Sequence, residues 1–230
     1  IDSDSIGRPF EENVYDEMGK LIKIIVHNTA TDITVQYWKT YSYDENNNMI
    51  NATTFNSDGS VRNYSEYIYD KNNNITQCID YYSDNTVQAY HDYDTYGNEI
   101  SLTRYNQDGS KGGINYIYEY NSKNQLIKKT GYESDDTIYD WTEYIYDSDG
   151  NKLTQITYNN TGQIGSFYRY EYDSNGNCIT EEHYTNYNPD YDDYYITNMM
   201  YDKNNRILEY ETLDRTGNVI SRRVYSYDYR

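Results

Sequence analysis

Tyrosine and other hydrophobic residues alternate with polar residues along the chain, in runs of about eight residues that end in turn formers. A period of two places successive side chains on opposite faces of a strand, whereas a helix requires a period of 3.6. No segment of the sequence shows the helical period. The pattern therefore predicts an all-β fold of about sixteen strands in sequential antiparallel order.

The pattern is repetitive, because a tyrosine followed by a turn signal recurs at intervals of 24 to 29 residues. These repeat tyrosines are Tyr15, Tyr43, Tyr69, Tyr93, Tyr120, Tyr146, Tyr172, Tyr201 and Tyr227. Asp follows the tyrosine in every copy except at Asn121, and Gly or Asn comes four residues after it in the first eight copies. Asp accepts hydrogen bonds from amides ahead of it, and Gly or Asn tolerates a positive φ. Each Tyr-Asp-x-x-Gly/Asn therefore predicts a type I turn with a bulge.

A second turn lies within each repeat, about sixteen residues after the repeat tyrosine. Its clearest copies are Asp58-Gly59, Asp108-Gly109, Thr161-Gly162 and Thr216-Gly217, with Asp84-Asn85 and Asp135-Asp136 as weaker ones. Each unit of about 26 residues thus predicts two strands of a repetitive antiparallel β-meander. We predict a leader outside the repeat at residues 1–12 and a single array of about eight repeats at residues 13–230.

The two faces of the predicted strands differ. Each repeat tyrosine shares a face with the residue two before it, which is again tyrosine in most copies, as in Tyr41 and Tyr43. The opposite, more polar face carries an aromatic residue five positions before the repeat tyrosine in four copies. We call these four residues the aromatic stripe: Trp38, Tyr64, Trp141 and Phe167. On the other strand apolar residues occur both six and seven positions after the tyrosine, so either both faces are partly covered or bulges intervene.

Two segments of the chain resemble a known family. Residues 169–177 (RYEYDSNGN) and residues 143–151 (EYIYDSDGN) are similar to the Tyr-x-Tyr-Asp-x-x-Gly-Asn core of RHS, or YD, repeat proteins. The resemblance implies a bacterial secreted or cell-surface protein built from long antiparallel β-sheets, which in large members roll into a shell that encloses a toxin. Because the repeat here is longer, we expect an elongated or curved sheet, and the sequence leaves open whether it is part of a rolled shell.

The composition limits the core that this fold can build. Of the 230 residues 36% are hydrophobic, and 34 Tyr, 3 Phe and 2 Trp supply much of that share. A thick core of Leu, Ile and Val is therefore not expected. The abundance of aromatic and β-branched residues nevertheless distinguishes the chain from a disordered one.

The charge limits the partners. The sequence has 19 Lys+Arg against 38 Asp+Glu, a formal net charge of -19, so the phosphate backbone of a nucleic acid is repelled. The mean hydropathy of -1.08 admits no apolar stretch near the ~20 residues that a membrane helix needs. We expect neither nucleic acid binding nor membrane insertion, and the oligomeric state stays open. The polar start of the chain, which lacks Met, is expected of a trimmed or mature secreted protein.

No motif indicates catalysis, a metal or a cofactor. His27, His91 and His183 lie in different repeats with no catalytic pattern nearby, and the first two substitute for aromatic residues at repeat positions. Turns such as the one beginning at Asp44 imitate the start of a calcium-binding EF-hand loop, but an aromatic residue stands where the bidentate Glu is required. We therefore predict a non-enzymatic protein with no catalytic residues, no metal site and no cofactor.

The cysteines indicate neither a metal site nor a disulfide. Cys78 and Cys178 are the only two, and no C-x-x-C motif accompanies them. They lie about four repeats apart, too far to be bridged in an open sheet. We predict that both are unpaired.

The aromatic stripe is the main candidate for a binding surface. Aromatic rings next to Asp, Asn and Thr can stack on sugar rings or anchor a protein partner. The predicted ligand-binding residues form two patches, Trp38 with Tyr64 and Trp141 with Phe167. The alternative is that these side chains form cross-strand pairs that only pack the sheet.

Three classes of function follow from these observations. The sequence favours a non-enzymatic extracellular or cell-surface binding module for a glycan or a protein. The alternative is a purely structural spacer or shell fragment of an RHS-like secreted protein. A glycoside-processing enzyme is the third class, and only the abundant carboxylates, such as Glu181 and Glu182, support it.

Overall fold

The computed structural model describes residues 9–29, 32–188 and 191–227, and every regular element within them is a β-strand. The chain divides into two units, Ile1–Tyr116 and Ile117–Arg230. The first unit contains β1 (Phe10–Tyr15), β2 (Leu21–His27), β3 (Val35–Tyr43), β4 (Met49–Asn56), β5 (Val61–Tyr69), β6 (Ile75–Tyr82), β7 (Val87–Tyr93) and β8 (Glu99–Arg104).

The boundary between the units falls within the next strand, β9 (Asn115–Tyr120). The second unit continues with β10 (Leu126–Tyr132), β11 (Ile138–Tyr146), β12 (Lys152–Asn159), β13 (Ile164–Tyr172), β14 (Cys178–Asn188), β15 (Tyr191–Tyr201), β16 (Ile207–Asp214) and β17 (Val219–Val224). Strands that are neighbours in sequence pair antiparallel in two runs, one from β1 to β8 and the other from β10 to β17.

The prediction of an all-β antiparallel meander is confirmed. The sixteen predicted strands correspond to β2–β17, and β1 is an additional strand. The predicted leader overlaps β1, because Phe10 and Glu12 already pair with His27 and Ile25 of β2. Residues 1–8 of that leader lie outside the described residues, and the division into leader and single array stays a prediction.

The turn after each repeat tyrosine has the geometry that its sequence predicts. At Asp44 the backbone N–H of Asn47 donates to the Asp44 carbonyl over 3.1 Å, and Asn47 has a φ of 71°. The carboxylate Oδ1 of Asp44 accepts hydrogen bonds from the N–H groups of Asn46 and Asn48 at 2.9 and 2.8 Å. Corresponding side-chain bonds form at Asp16, Asp70, Asp94, Asn121, Asp147, Asp173 and Asp202.

The second turns also adopt the left-handed conformation that their residues predict. Gly59, Gly109, Gly162 and Gly217 all have positive φ. The two copies that are weaker in sequence follow them, since Asn85 and Asp136 have φ values of 66° and 65°. Asn and Asp tolerate this conformation better than other residues that carry a Cβ, because their short polar side chains bond locally.

A bulge at the repeat tyrosine explains the apolar residues that the sequence placed on both faces. In β3 the register with β4 shifts between Ser42 and Tyr43, which brings Tyr43 opposite Met49. Met49 is half-buried, whereas the following residue, Ile50, is 39% exposed. The sequence left two explanations open, and the structure shows that bulges are present. In this repeat the residue seven positions after the tyrosine, Ile50, lies on the more exposed face.

The hydroxyl groups of the repeat tyrosines bridge consecutive hairpins. Tyr43 Oη donates to the backbone carbonyl of Leu21 over 2.8 Å, and Tyr69 Oη donates to that of Met49 over 2.9 Å. Each acceptor lies six residues after the preceding repeat tyrosine. The second unit has four bridges of the same kind, from Tyr146, Tyr172, Tyr201 and Tyr227 to Leu126, Lys152, Cys178 and Ile207. Each of these six tyrosines therefore links its own strand to the preceding strand.

The buried core is thin, as the composition predicts. The buried hydrophobic side chains are small or medium in size, namely Val26, Cys78, Ala89 and Leu102. No side chain among the described residues is both large and fully buried. Half-buried tyrosines and backbone hydrogen bonds therefore supply much of the cohesion that aliphatic side chains provide in other domains.

Candidate functional site

Each residue of the predicted aromatic stripe lies directly opposite another aromatic residue on the next strand. Trp38 of β3 pairs with Phe55 of β4, with ring centroids 5.4 Å apart and planes inclined by 14°. The other three stacked pairs are Tyr64 with Tyr81 at 4.6 Å, Trp141 with Tyr158 at 5.0 Å and Phe167 with Tyr184 at 5.6 Å. Every partner stands twelve residues after a repeat tyrosine, so two repeat positions meet across one strand pair.

These rings are half-buried instead of fully exposed. Besides Phe55, Trp38 has the Lys23 Nζ above its ring, 5.3 Å from the centroid. A Cβ at Gly59 would lie 3.9 Å from Trp38 Cη2, so the indole edge reaches the second turn of the following repeat. Cross-strand packing thus occupies part of each stripe ring. Binding of a ligand by Trp38, Tyr64, Trp141 and Phe167 stays a prediction.

The structure adds a fifth pair that the sequence analysis missed. Phe10 of β1 stands five residues before Tyr15, and its ring lies 5.8 Å from that of His27. The two residues are direct partners in the register of β1 and β2. Phe10 has the same spacing from its repeat tyrosine as the four stripe residues, but the predicted leader at residues 1–12 excluded it from the repeat. His27 therefore fills an aromatic repeat position, as its spacing predicts.

A cavity of about 320 Å³ lies in the first unit, where the repeat is interrupted. After the second turn at Gly109 only a single bridge, between Tyr105 and Lys111, forms before β9 begins at Asn115. In the other repeats a strand of six residues or more starts directly after this turn. The lining comes from β6, β7, β8 and the irregular segment: Asp80, Tyr82, Gln88, Ala89, His91, Leu102, Arg104, Tyr105, Asn106, Gly112 and Gly113.

His91 lies in this lining, between two carboxylates. Its Nδ1 is 2.5 Å from Glu99 Oε1, and its Nε2 is 3.2 Å from Asp80 Oδ2. The second carboxylate oxygen of Asp80 accepts a hydrogen bond of 2.5 Å from Ser65 Oγ. Only the doubly protonated imidazolium can donate to both carboxylates at once. The spacing of His91 predicted only a substitute for an aromatic residue, because Asp80 and Glu99 become its neighbours only when β6, β7 and β8 pair.

The electrostatic effects within this cluster support one another. The hydrogen bond with Asp80 and that with Glu99 raise the pKa of His91, against the opposing effect of burial. Burial alone would raise the pKa of Asp80, but the hydrogen bonds from His91 and Ser65 hold it below its ordinary value. The cluster therefore favours a charged histidine between charged carboxylates.

The cluster is not arranged for nucleophilic catalysis. Cys78 is the nearby thiol, and burial together with the Asp80 carboxylate raises its pKa to about 12. A catalytic cysteine requires the opposite shift, because the thiolate is the nucleophile. Cys78 contacts Asp80 at 3.8 Å, and His91, which could act as a base, already uses both ring nitrogens.

The carboxylates that could suggest a glycosidase do not face one another. Glu181 and Glu182 are neighbours on β14, so their side chains point to opposite faces of the strand. Glu182 is buried, accepts a hydrogen bond of 2.7 Å from Tyr194 Oη and forms an ion pair with Arg169. This adjacent pair therefore cannot flank one glycosidic bond.

The acidic turns use their oxygens internally. Besides the two backbone bonds to Oδ1, Asp44 Oδ2 accepts a hydrogen bond of 2.9 Å from Asn48 Nδ2. This side-chain bond, with the backbone bonds, lowers the pKa of Asp44. Across the described residues no group of three or more His, Cys, Asp or Glu side chains has an arrangement that could hold a metal ion.

Two further features concern the cysteines and the membrane. Cys78 and Cys178 are both free thiols, the first buried and the second half-buried. The described residues contain no helix that is long and apolar enough to cross a membrane.

The fold and repeat geometry define a tandem-repeat β-protein held together by tyrosine hydroxyl bridges. The RHS repeat family matches residues 146–189, which confirms the resemblance drawn from the Tyr-Asp turns. A second family, described as a protein of unknown function (DUF2963), matches residues 81–131, a range that contains most of the cavity lining. No curated protein sequence matches the chain.

One solved structure has a similar fold. The chain is similar to the crystal structure of TcdB2-TccC3 without its hypervariable C-terminal region, with a TM-score of 0.60 at 15% identity. The match covers 93% of this chain and 12% of that chain, so the present chain spans a small part of that protein. A porin-like protein from Bacteroides uniformis is 10% identical over 94% of this chain and 92% of its own, with a TM-score of 0.41. That value supports no conclusion about the fold.

Proposed function

We propose that the chain is a non-enzymatic structural segment of a secreted or cell-surface protein, built from tandem hairpins that are bonded to one another. The observation that carries this proposal is the hydroxyl bridge of the repeat tyrosine, such as Tyr146 to the Leu126 carbonyl over 2.9 Å. The bridge recurs at the same repeat position in both units. The family match at residues 146–189 and the fold likeness support the same role.

The bridges suit a structural role because they join hairpins that are separate in sequence. Residues that form a bridge are 20 to 23 positions apart. Further links run between successive Tyr-Asp turns, where Asn48 Nδ2 donates to Asn73 Oδ1 and Asn177 Nδ2 donates to Asn205 Oδ1, both over 3.0 Å. Where these bonds form, neighbouring hairpins are joined through side chains as well as through the backbone ladder.

The test is removal of one hydroxyl group. Tyr146→Phe keeps the ring but leaves the Leu126 carbonyl without its donor, and we expect a loss of about 1 kcal/mol in the free energy of unfolding. Tyr139→Phe is the matched control, because Tyr139 is 49% exposed and has no hydrogen bond from its hydroxyl to the described residues. Chemical denaturation of both variants measures the difference. Equal stabilities would contradict the proposed role of the bridges.

A second candidate function is binding of a glycan or a protein partner at the aromatic stripe. The observation that favours it is that each stripe ring is stacked in a regular orientation yet keeps part of its surface in solvent, as in the Trp141–Tyr158 pair. A glycan array, and capture of a purified partner, would test it with the wild-type chain. Trp141→Phe retains the stacking with less surface, so a true stripe ligand should bind it more weakly. Unchanged binding would remove the stripe from this role.

A further inference from the structure

The cavity in the first unit presents a mixed set of hydrogen-bonding groups. Gln88 of β7 has no partner in β6, because the register shifts between Asp80 and Tyr81. A bulge of this kind changes the direction in which a side chain points. Its side-chain amide has no partner among the described residues. Arg104 adds donors, and the Asp80 carboxylate adds acceptors. Asn106 adds its Oδ1 as an acceptor, because its Nδ2 already donates to Ser110 Oγ over 3.0 Å. The lining can therefore donate to and accept from the same small molecule.

The lining is also partly apolar. Ala89 and Leu102 are 5% and 7% exposed and line the same cavity. Tyr82 and Tyr105 contribute aromatic rings, and their relative position is held by a hydrogen bond of 3.0 Å from Tyr82 Oη to the Tyr105 carbonyl. An apolar surface beside a few polar groups suits a ligand that has both C–H and hydroxyl faces.

The charges around the cavity balance. Asp80 and Glu99 are negative, while Arg104 and the protonated His91 are positive. Both carboxylates are engaged by His91, and the Arg104 guanidinium donates to the Ile114 carbonyl and lies 5.4 Å from the Tyr116 ring centroid. No charge is left in excess, so the cavity favours a neutral ligand over an anion or a cation.

Next to the cavity wall a buried donor is unsatisfied. Asn115 is 8% exposed, and its Oδ1 accepts a hydrogen bond of 2.6 Å from the N–H of Arg104. Its Nδ2 has no partner among the described residues. Asn115 does not itself line the cavity, and its contribution is to hold the backbone of Arg104, whose side chain does.

We propose that this cavity binds a neutral monosaccharide unit, with the Gln88, Asn106 and Arg104 side chains bonding its hydroxyl groups and Ala89 and Leu102 facing its C–H surface. Its volume of about 320 Å³ lies at the lower end of the range for small-molecule sites and accepts about one sugar ring. This function goes beyond the structural role, and it differs from stripe binding because it uses none of the four stripe residues.

The test is a titration of the full chain with glucose, galactose, mannose and N-acetylglucosamine, with glucuronate as an anionic sugar and glucosamine as a cationic one. Backbone amide chemical shifts report the affinity and the site. We expect millimolar binding of at least one neutral sugar, with shifts confined to the cavity lining. Gln88→Ala should weaken that binding about tenfold, through the loss of one or two hydrogen bonds.

Gln36→Ala is the matched control. Gln36 is the corresponding extra residue in β3, opposite the shift at His27, and it is exposed. This variant should bind as the wild type does. Absence of binding by every neutral sugar at tens of millimolar, or a clear preference for glucuronate or glucosamine, would overturn the proposal. Shifts centred on Trp38 and Tyr64 that survive Gln88→Ala would also overturn it, and would favour the stripe.

Discussion

The regular hairpins of β11–β14 and the interrupted segment that follows β8 differ in how closely they keep the repeat. In β11–β14 each position of the repeat has the same partner, with stacked pairs at Trp141 and Phe167 and bridges at Tyr146 and Tyr172. After β8 the second turn is kept at Gly109, but the following strand is delayed to Asn115. A cavity occupies that region. Where the repeat is regular, neighbouring strands are joined by the same contacts, and where it is interrupted a cavity is present.

The two regions also use buried polar groups differently. In β11–β14 hydrogen bonds of the tyrosines recur with the repeat and can be read from spacing. In the first unit His91 is held by Asp80 and Glu99, which come from two different strands. The corresponding positions of the other repeats hold other residue types, so the repeat pattern does not indicate this cluster.

The largest effect that would test the regular region is expected for Trp141→Ala. Because Trp141 is half-buried and stacked on Tyr158 at 5.0 Å, its removal should lower the free energy of unfolding by about 2–3 kcal/mol. Ile145→Ala, at a residue that is 56% exposed, is the control and should cost under about 1 kcal/mol. Urea denaturation of both variants gives the comparison. A loss under about 1 kcal/mol for Trp141→Ala would show that the ring contributes little to packing and is available to a ligand.

A smaller effect is expected at the turn that closes β13 and β14. Gly176 has a φ of 80° and nothing closer than 4.0 Å to an added Cβ, so Gly176→Ala isolates backbone strain. We expect a loss of about 1–2 kcal/mol in the free energy of unfolding. Gly165→Ala serves as the control, since Gly165 lacks a positive φ and its added Cβ would make an ordinary contact with the Thr157 carbonyl at 3.7 Å. Equal stability of the two variants would contradict the left-handed turn.

A pH-dependent effect of about 1 kcal/mol is expected in the irregular region, the size of one charge-assisted hydrogen bond in a partly exposed site. Because the folded-state pKa of His91 is raised, its stabilising contribution is fully present below the unfolded value of about 6.5 and is lost as pH rises through the folded pKa. The lowered pKa of Asp80 acts in the acid range, where its contribution is lost as pH falls through the folded value.

Denaturation of the wild type and of His91→Gln between pH 5 and pH 9 measures this contribution. Glutamine can donate but carries no charge that titrates, so the decline of stability above about pH 6.5 should be smaller in the variant. His183→Gln is the control in the regular region, where His183 stacks on Tyr168 with centroids 4.2 Å apart. An unchanged pH profile in His91→Gln would show that the carboxylate cluster contributes nothing to stability.

The smallest effect is expected at Asn73, in a Tyr-Asp turn of the first unit. Asn73 has a φ of 64°, a conformation that glycine adopts without strain, but its Oδ1 accepts a hydrogen bond from Asn48 Nδ2. Asn73→Gly removes the strain and the bond together, so stability should change by under about 0.5 kcal/mol. A larger loss in thermal unfolding would show that the bond between neighbouring turns outweighs the backbone preference.

Most features of the regular hairpins could be predicted from the sequence, whereas the cavity could not. Tyr-Asp spacing, turn residues and two-residue alternation are local signals, and they predicted the strands and both turns. The place of Phe10 was missed only because the repeat was begun at Tyr15. His91 was missed for a different reason, since Asp80 and Glu99 become its neighbours only when β6, β7 and β8 pair.

By itself the sequence determined the hairpin turns, the alternation of faces and the identity of the repeat, because each depends on contacts within about thirty residues that recur with one period. Tertiary structure decided which faces are covered. It turned the stripe into stacked pairs. It also gathered Gln88, His91 and Arg104 around one cavity. These outcomes depend on strand register, and a shift of a single residue in pairing reverses the face of every side chain that follows.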